Sequence, residues 1–233
     1  MLKNVILILL CLLVSNGLYS QKDRRILSPE NRLYVEEGRL YATAQFGLGY
    51  SQLVGDTYPG FHQGNLQIGF GLMAVLNPKT TLEMDVVYLR KGSRTETGNA
   101  NGDKNRDIDL TYIEWPVFVR YLLGDPTMGP FIEGGLVYGR LTKVVISEPG
   151  RPMDAYLFSA FQPYFNKNEI SGLTGLGFAF SPTLGVRLRY QRGLSALFRG
   201  SKHEIEHPTE GSSNENIAVL NNELLALHLY LRL

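Results

Sequence analysis

The chain is short of several things that usually carry function. It has one cysteine in 233 residues, Cys11, which lies inside an N-terminal apolar run. Leu10 precedes it, which makes a poor lipobox, so it reads as an ordinary residue of that run. Downstream of it there is no thiol, so the rest of the chain uses no disulfide, although an exported protein would be permitted them. The charges nearly cancel, at a formal +1, and nothing points to nucleic acid. No stretch reaches the ~18 apolar residues of a transmembrane helix, and no helical period is sustained. What is present is glycine, at 25 residues, with 13 tyrosines and 11 phenylalanines. Stretches of period two recur, so the class is all-β.

The N-terminus, Met1–Ser20, has one basic residue, Lys3, an apolar core over Val5–Val14, and a small polar end from Ser15. It reads as a cleaved signal peptide, 1–20, with the cut before Gln21. Its apolar run is shorter than the ~20 residues a bilayer requires. Residues 21–38, QKDRRILSPENRLYVEEG, are charged and without period, and read as a periplasmic linker. Residues 39–233 remain as one domain.

The segment 107–141, DIDLTYIEWPVFVRYLLGDPTMGPFIEGGLVYGRL, sets the pattern. Ile113, Trp115, Val117, Val119 and Tyr121 fall on one face of a strand and Glu114 and Arg120 on the other. The run Leu110–Leu123 extends ~45 Å at ~3.3 Å per residue. The expected strands are 39–52, 62–76, 81–91, 110–123, 129–141, 169–181, 183–194 and 222–233. Short turns at 77–80, 124–129 and 181–183 alternate with long polar connections. Turns and both termini fall on one end, loops on the other, and the chain ends on a strand. An even strand number with that asymmetry predicts an eight-stranded antiparallel up-and-down transmembrane β-barrel of the outer membrane. A soluble barrel would turn its apolar face inwards. The leader, the loop asymmetry, the chain end and nearly unbroken Leu/Val/Ile faces with aromatics near an end favour the membrane.

That orientation puts Glu83, Asp85, Glu114, Arg120, Glu133, Arg187, Arg189 and His228 into the lumen, because an Arg or Lys facing lipid at mid-membrane costs ~2–4 kcal/mol. Eight strands enclose little more than their own side chains. The charges are therefore expected to pair as an ionic network that plugs the barrel, with a conduction path as the alternative. The partners this implies are outer-membrane lipid and, during biogenesis, the barrel-insertion machinery. No cofactor is expected.

The runs LTYIEWPVFVRYLL (110–123), GPFIEGGLVYGRL (129–141) and RYQRGL (189–194) resemble the Bacteroidota outer-membrane β-barrel proteins of the PorT-like, or porin, family. The resemblance implies a small outer-membrane barrel and no defined activity. Leu233 stands where a terminal aromatic is more usual.

Chemistry-bearing sets are few. His62 near the loop end, with Ser51 or Asp56, has the residue types of a lipid-modifying hydrolase, where a base activates a nucleophile, but nothing selects that set, and the chain reads as not an enzyme. HEIEH (203–207) has ligand types for a metal and reads as a polar loop. Asp103, Asn105, Asp107 and Asp109 fail as a calcium loop because Ile108 stands where glycine is needed. In the loop 147–168, Tyr156, Phe158, Phe161, Tyr164 and Phe165 form an aromatic run outside the membrane band. It reads as a lid or as a contact surface for another outer-membrane or surface component.

Overall fold

In the computed structural model, residues 38–54, 60–93, 107–124, 128–147, 165–201 and 217–233 are described. They form β1 (Leu40–Val54), β2 (Gln63–Asn77), β3 (Thr80–Ser93), β4 (Asp107–Leu122), β5 (Gly129–Ser147), β6 (Asn168–Ala179), β7 (Leu184–Gly193), β8 (Phe198–Ser201) and β9 (Ile217–Arg232). Each neighbour pair is antiparallel, in the order β1 to β7 and then β9, and β9 pairs back onto β1. The closed ring therefore has eight strands, and no sheet edge is left along it. The leader and all of the linker but Gly38 lie outside the described residues.

Short turns make one end. Asn77 Oδ1 accepts a hydrogen bond from the backbone N–H of Lys79 at 3.0 Å, the Asx geometry that suits a turn with proline at its second position. At 181–183 the Ser181 hydroxyl accepts from the N–H groups of Thr183 and Leu184, at 3.2 and 3.0 Å. The start of β1 and the end of β9 lie at this end, where Leu233 N donates to Ala42 O at 2.9 Å.

Two features depart from the sequence expectation. β5 runs on to Ser147 rather than ending at Leu141, through a bulge opposite Thr111/Tyr112. The connection 195–221 is not wholly irregular. Residues 198–201 form β8, which pairs only with 217–220, the extension of β9 beyond the ring. Both sit at the loop end, where the bulge breaks the alternation of β5 and where β8 is only four residues long.

Parity decides everything else. On β4, Tyr112, Glu114, Phe118, Arg120 and Leu122 are buried, whereas Val117, Val119 and Tyr121 are exposed. β9 exposes Leu225, Leu227, Leu229 and Leu231 and buries Ala226, His228 and Tyr230. Apolar residues thus cover the outside, and charge is packed within. A soluble core reverses that assignment.

Candidate functional site in the barrel lumen

The inward positions are built from strands on opposite sides of the ring. Arg187 on β7 is 2 % exposed. Its Nη1 lies 3.3 Å from Glu83 Oε2 and its Nη2 3.3 Å from Asp85 Oδ2, both on β3. β3 and β7 are four places apart in an eight-membered ring, so this ion pair crosses the full diameter. Arg120 Nη2 lies 3.0 Å from Glu83 Oε1. Arg189 Nε is hydrogen-bonded to Glu133 Oε1. Arg187 Nη1 and Arg120 Nε also face Glu133 Oε2, at 3.7 and 3.9 Å. Three guanidinium groups therefore meet three carboxylates, and the tier is neutral. Gln45 bridges it, donating to Asp85 Oδ2 at 2.9 Å and accepting from Arg187 Nη2 at 2.5 Å.

Aromatic rings fill the space between the charges. The Arg120 guanidinium lies 4.4 Å from the Phe131 ring centre and 4.2 Å from that of Tyr230. Arg189 lies 4.1 Å from Phe118. Planar guanidinium groups stack on such faces while keeping their N–H donors in plane for carboxylates, so one arginine serves both contacts. These side chains fit because glycines face them. A Cβ on Gly177 would strike the Phe131 ring, one on Gly71 the Asp85 carboxylate, and one on Gly47 the His228 imidazole.

A second tier lies nearer the loop end. Lys91 Nζ is 2.5 Å from Glu114 Oε1 and 3.7 Å from Glu169 Oε1, with the lysine side chain wholly buried. Gln191 Nε2 donates to Glu114 Oε1 at 3.1 Å. Asn222 Nδ2 donates to Glu169 Oε2 at 2.6 Å and to Tyr112 Oη at 3.1 Å. Tyr112 on β4 and Asn222 on β9 again stand across the ring. Around and beyond this tier, Leu53, Leu89, Leu110, Leu141, Val144, Phe165, Leu197 and Leu220 pack into an apolar layer. At the opposite end a cavity of about 30 Å³, lined by Thr43, Thr81, Arg120, Tyr230 and Arg232 among others, opens between the turns. That is room for about one water.

All eight residues read from the sequence as lumenal are buried here. Seven join the ion-pair tiers. His228 does not: its Nε2 lies 2.8 Å from Gln67 Oε1. Phe165, taken as part of a contact loop, is 5 % exposed and belongs to the interior layer. It is removed from any outer surface because the chain turns inward there, with Asn166 N donating to Leu197 O at 2.8 Å. Tyr156, Phe158, Phe161 and Tyr164 lie outside the described residues, as do Asp56, Asp103, Asn105, His203 and His207. Ser51 is fully buried and its hydroxyl accepts from Gly92 N at 2.9 Å, while His62 is exposed. Asp109 accepts from Gln63 Nε2.

Lys91, Glu169, Gln45 and Gln191 complete the network and were not read from the sequence. Lys91 and Glu169 are the end residues of the expected strands 81–91 and 169–181 and share the phase of Glu83 and Ser171, so carrying the alternation to the strand ends finds them.

A barrel with lipid-compatible apolar residues outside and a charged, packed interior matches one family model, described as the outer membrane protein β-barrel domain, over residues 19–199. The chain belongs to this outer-membrane β-barrel family. It is an outer-membrane protein with a closed eight-stranded antiparallel barrel. Among solved structures, the Ail attachment invasion locus protein of Yersinia pestis, determined in complex with the heparin analogue sucrose octasulfate, is similar at 11 % identity. It has a TM-score of 0.45, over 84 % of this chain and 99 % of that one. Neisserial surface protein A is similar at 12 % identity and TM-score 0.45, over 83 % and 97 %. OprG of Pseudomonas aeruginosa is similar at 9 % and 0.37, over 83 % and 95 %. No curated protein matches the chain.

Proposed function

We propose that this protein is a plugged outer-membrane barrel with a structural or interaction role, presented through loops on the outer side of the membrane, and not an enzyme or open pore. The observation that carries this reading is the Arg187 bridge to Glu83 and Asp85 across the full diameter. A bridge there blocks the only route along the barrel axis, and stacked Phe118, Phe131 and Tyr230 leave little space beside it. Removing charges of both signs from water is tolerated because each is paired. Ser51, the serine weighed as a nucleophile beside the exposed His62, is fully buried and its hydroxyl is engaged by Gly92.

The same reading places the short turns and both strand termini in the periplasm, with residues 1–20 removed on export and 148–164 available to another outer-membrane or surface component. The three segments that resemble the PorT-like Bacteroidota proteins support that assignment at the level of sequence.

Planar-bilayer recording on the refolded barrel tests the plug. The expected trace has no steady current, and sustained open-channel conductance would reject the reading in favour of a narrow channel. Affinity purification from native membranes tests the interaction role: a stable co-purifying envelope protein is expected, lost when 148–164 are replaced by a glycine-serine stretch. Lipid A of unchanged mass in a deletion strain is expected if there is no lipid-modifying activity.

A further inference from the structure

The outward face carries cations that lipid tails do not accommodate. At the loop end of β3, β4 and β5 the register aligns Tyr88 with Ile113 and Ile113 with Arg140. One row further towards the loops it aligns Arg90 with Thr111 and Thr111 with Lys143. Arg90, Arg140 and Lys143 are all exposed. The bulge opposite Thr111 is what brings Lys143 out: Thr142 Oγ1 donates to Thr111 O at 3.0 Å, and Thr142 and Lys143 are both exposed before Val144 returns to the interior. Without that extra residue, strict alternation from Arg140 would turn Lys143 inwards.

Inside the barrel Lys91, Arg120, Arg187 and Arg189 each face a carboxylate. Among the described residues these three outer cations form no ion pair. Asp109, two residues further along β4 from Thr111, is engaged by Gln63. One row towards the turn end, the Trp115 and Tyr138 rings pack 5.6 Å apart and Tyr138 Oη donates to Asn168 Oδ1 at 2.9 Å. Such amphipathic rings settle at headgroup depth. The cations therefore stand at or just beyond that depth, where an outward Arg or Lys costs far less than at mid-membrane and where lipid phosphates lie.

We propose that Arg90, Arg140 and Lys143 bind the phosphate groups of a membrane lipid headgroup, that of a diphosphorylated glycolipid of the outer leaflet. Arg90 and Lys143 stand two strands apart, ~10 Å at ~4.8 Å per strand, a spread that accommodates two phosphates. Arginine supplies a planar fork to phosphate oxygens and lysine a point charge. The leaflet, though not the phosphate chemistry, rests on the orientation proposed above.

The chain's single tryptophan, Trp115, reports on this patch. The full barrel in neutral detergent is titrated with diphosphoryl lipid A, with lipid A stripped of phosphate and with phosphatidylglycerol, following Trp115 emission and retained lipid by native mass spectrometry. Diphosphoryl lipid A is expected to shift the emission and remain bound, and the other two to bind at least about tenfold more weakly, a difference of ~1.4 kcal/mol. The triple variant R90Q/R140Q/K143Q should lose the same factor while keeping the heat-modifiable gel migration of a folded barrel. Equal binding by that variant, or by the phosphate-free lipid or phosphatidylglycerol, overturns the proposal. Should the triple variant fail to fold, R90Q and K143Q singly must each weaken binding, and unchanged affinity in both also overturns it. A protease site placed in 94–106 that proves inaccessible on whole cells would reject the orientation but leave the detergent result standing.

Discussion

Arg187 holds the interior together by reaching two carboxylates on the opposite wall and one, Glu133, from β5. Replacing it with methionine keeps much of the volume but leaves three buried carboxylates, Glu83, Asp85 and Glu133, facing only two guanidinium groups, Arg120 and Arg189. The expected loss is ~3–5 kcal/mol, read as a lower urea midpoint for refolded barrel. The double variant R187M/E83Q should recover part of it, because two guanidinium groups then face two carboxylates again. Glycine variants separate space from charge. Gly177→Ala drives a methyl group into Phe131 and should cost ~1–3 kcal/mol as overpacking. Gly134→Ala faces outwards, where a Cβ finds nothing nearer than Leu173 O at 3.8 Å, so its midpoint should stay close to that of the parent chain.

At the scale of the strand, the outer and inner faces make opposite demands. Leu227 on β9 is exposed to lipid, and Leu227→Arg should cost ~2–4 kcal/mol in bilayer refolding if it lies near mid-membrane. The hairpin of β8 with 217–220 should be dispensable, since β8 pairs with nothing in the ring. Replacing 199–218 by a short glycine-serine turn, while keeping Leu197 and Leu220, should leave heat-modifiable migration intact. The strands were legible in the sequence because period two survives wherever one side meets lipid: 82, 84, 86, 88 and 225, 227, 229, 231 are unbroken. It failed where lipid ends. Thr142 and Lys143 both point out at the bulge, which breaks the alternation, and β8 is only four residues long, too short to show a period. Which carboxylate meets which arginine was not legible at all. That depends on the stagger of the strands around the ring, and alternation along one strand carries no information about it.

For the whole molecule, the two tiers differ in charge. Arg120, Arg187 and Arg189 balance Glu83, Asp85 and Glu133, whereas Lys91 alone faces Glu114 and Glu169. Clearing the balanced tier with R120S/R187S/R189S/E83S/D85S/E133S leaves no stranded charge from that tier. If that tier is what blocks the axis, the folded variant should show discrete cation-favouring openings in a planar bilayer, because the remaining tier carries excess negative charge. Absence of any current from a variant with folded gel migration would mean that the apolar layer of Leu89, Leu110 and Leu220 seals the lumen by itself.

The pairing of His228 with Gly47, Asp85 with Gly71 and Phe131 with Gly177 also imposes an order on how such an interior can change. A glycine cannot acquire a side chain while its large partner stands, but the partner can shrink first and leave a void. Any mutational path from this closed barrel to a wider one therefore begins at the histidine, aspartate or phenylalanine, and reaches the glycine later only at 47, because the backbone oxygens of Met84 and Val186 also crowd a Cβ at 71 and 177. A selection for solute uptake should enrich substitutions at 85, 131 and 228 before any at 47, 71 or 177.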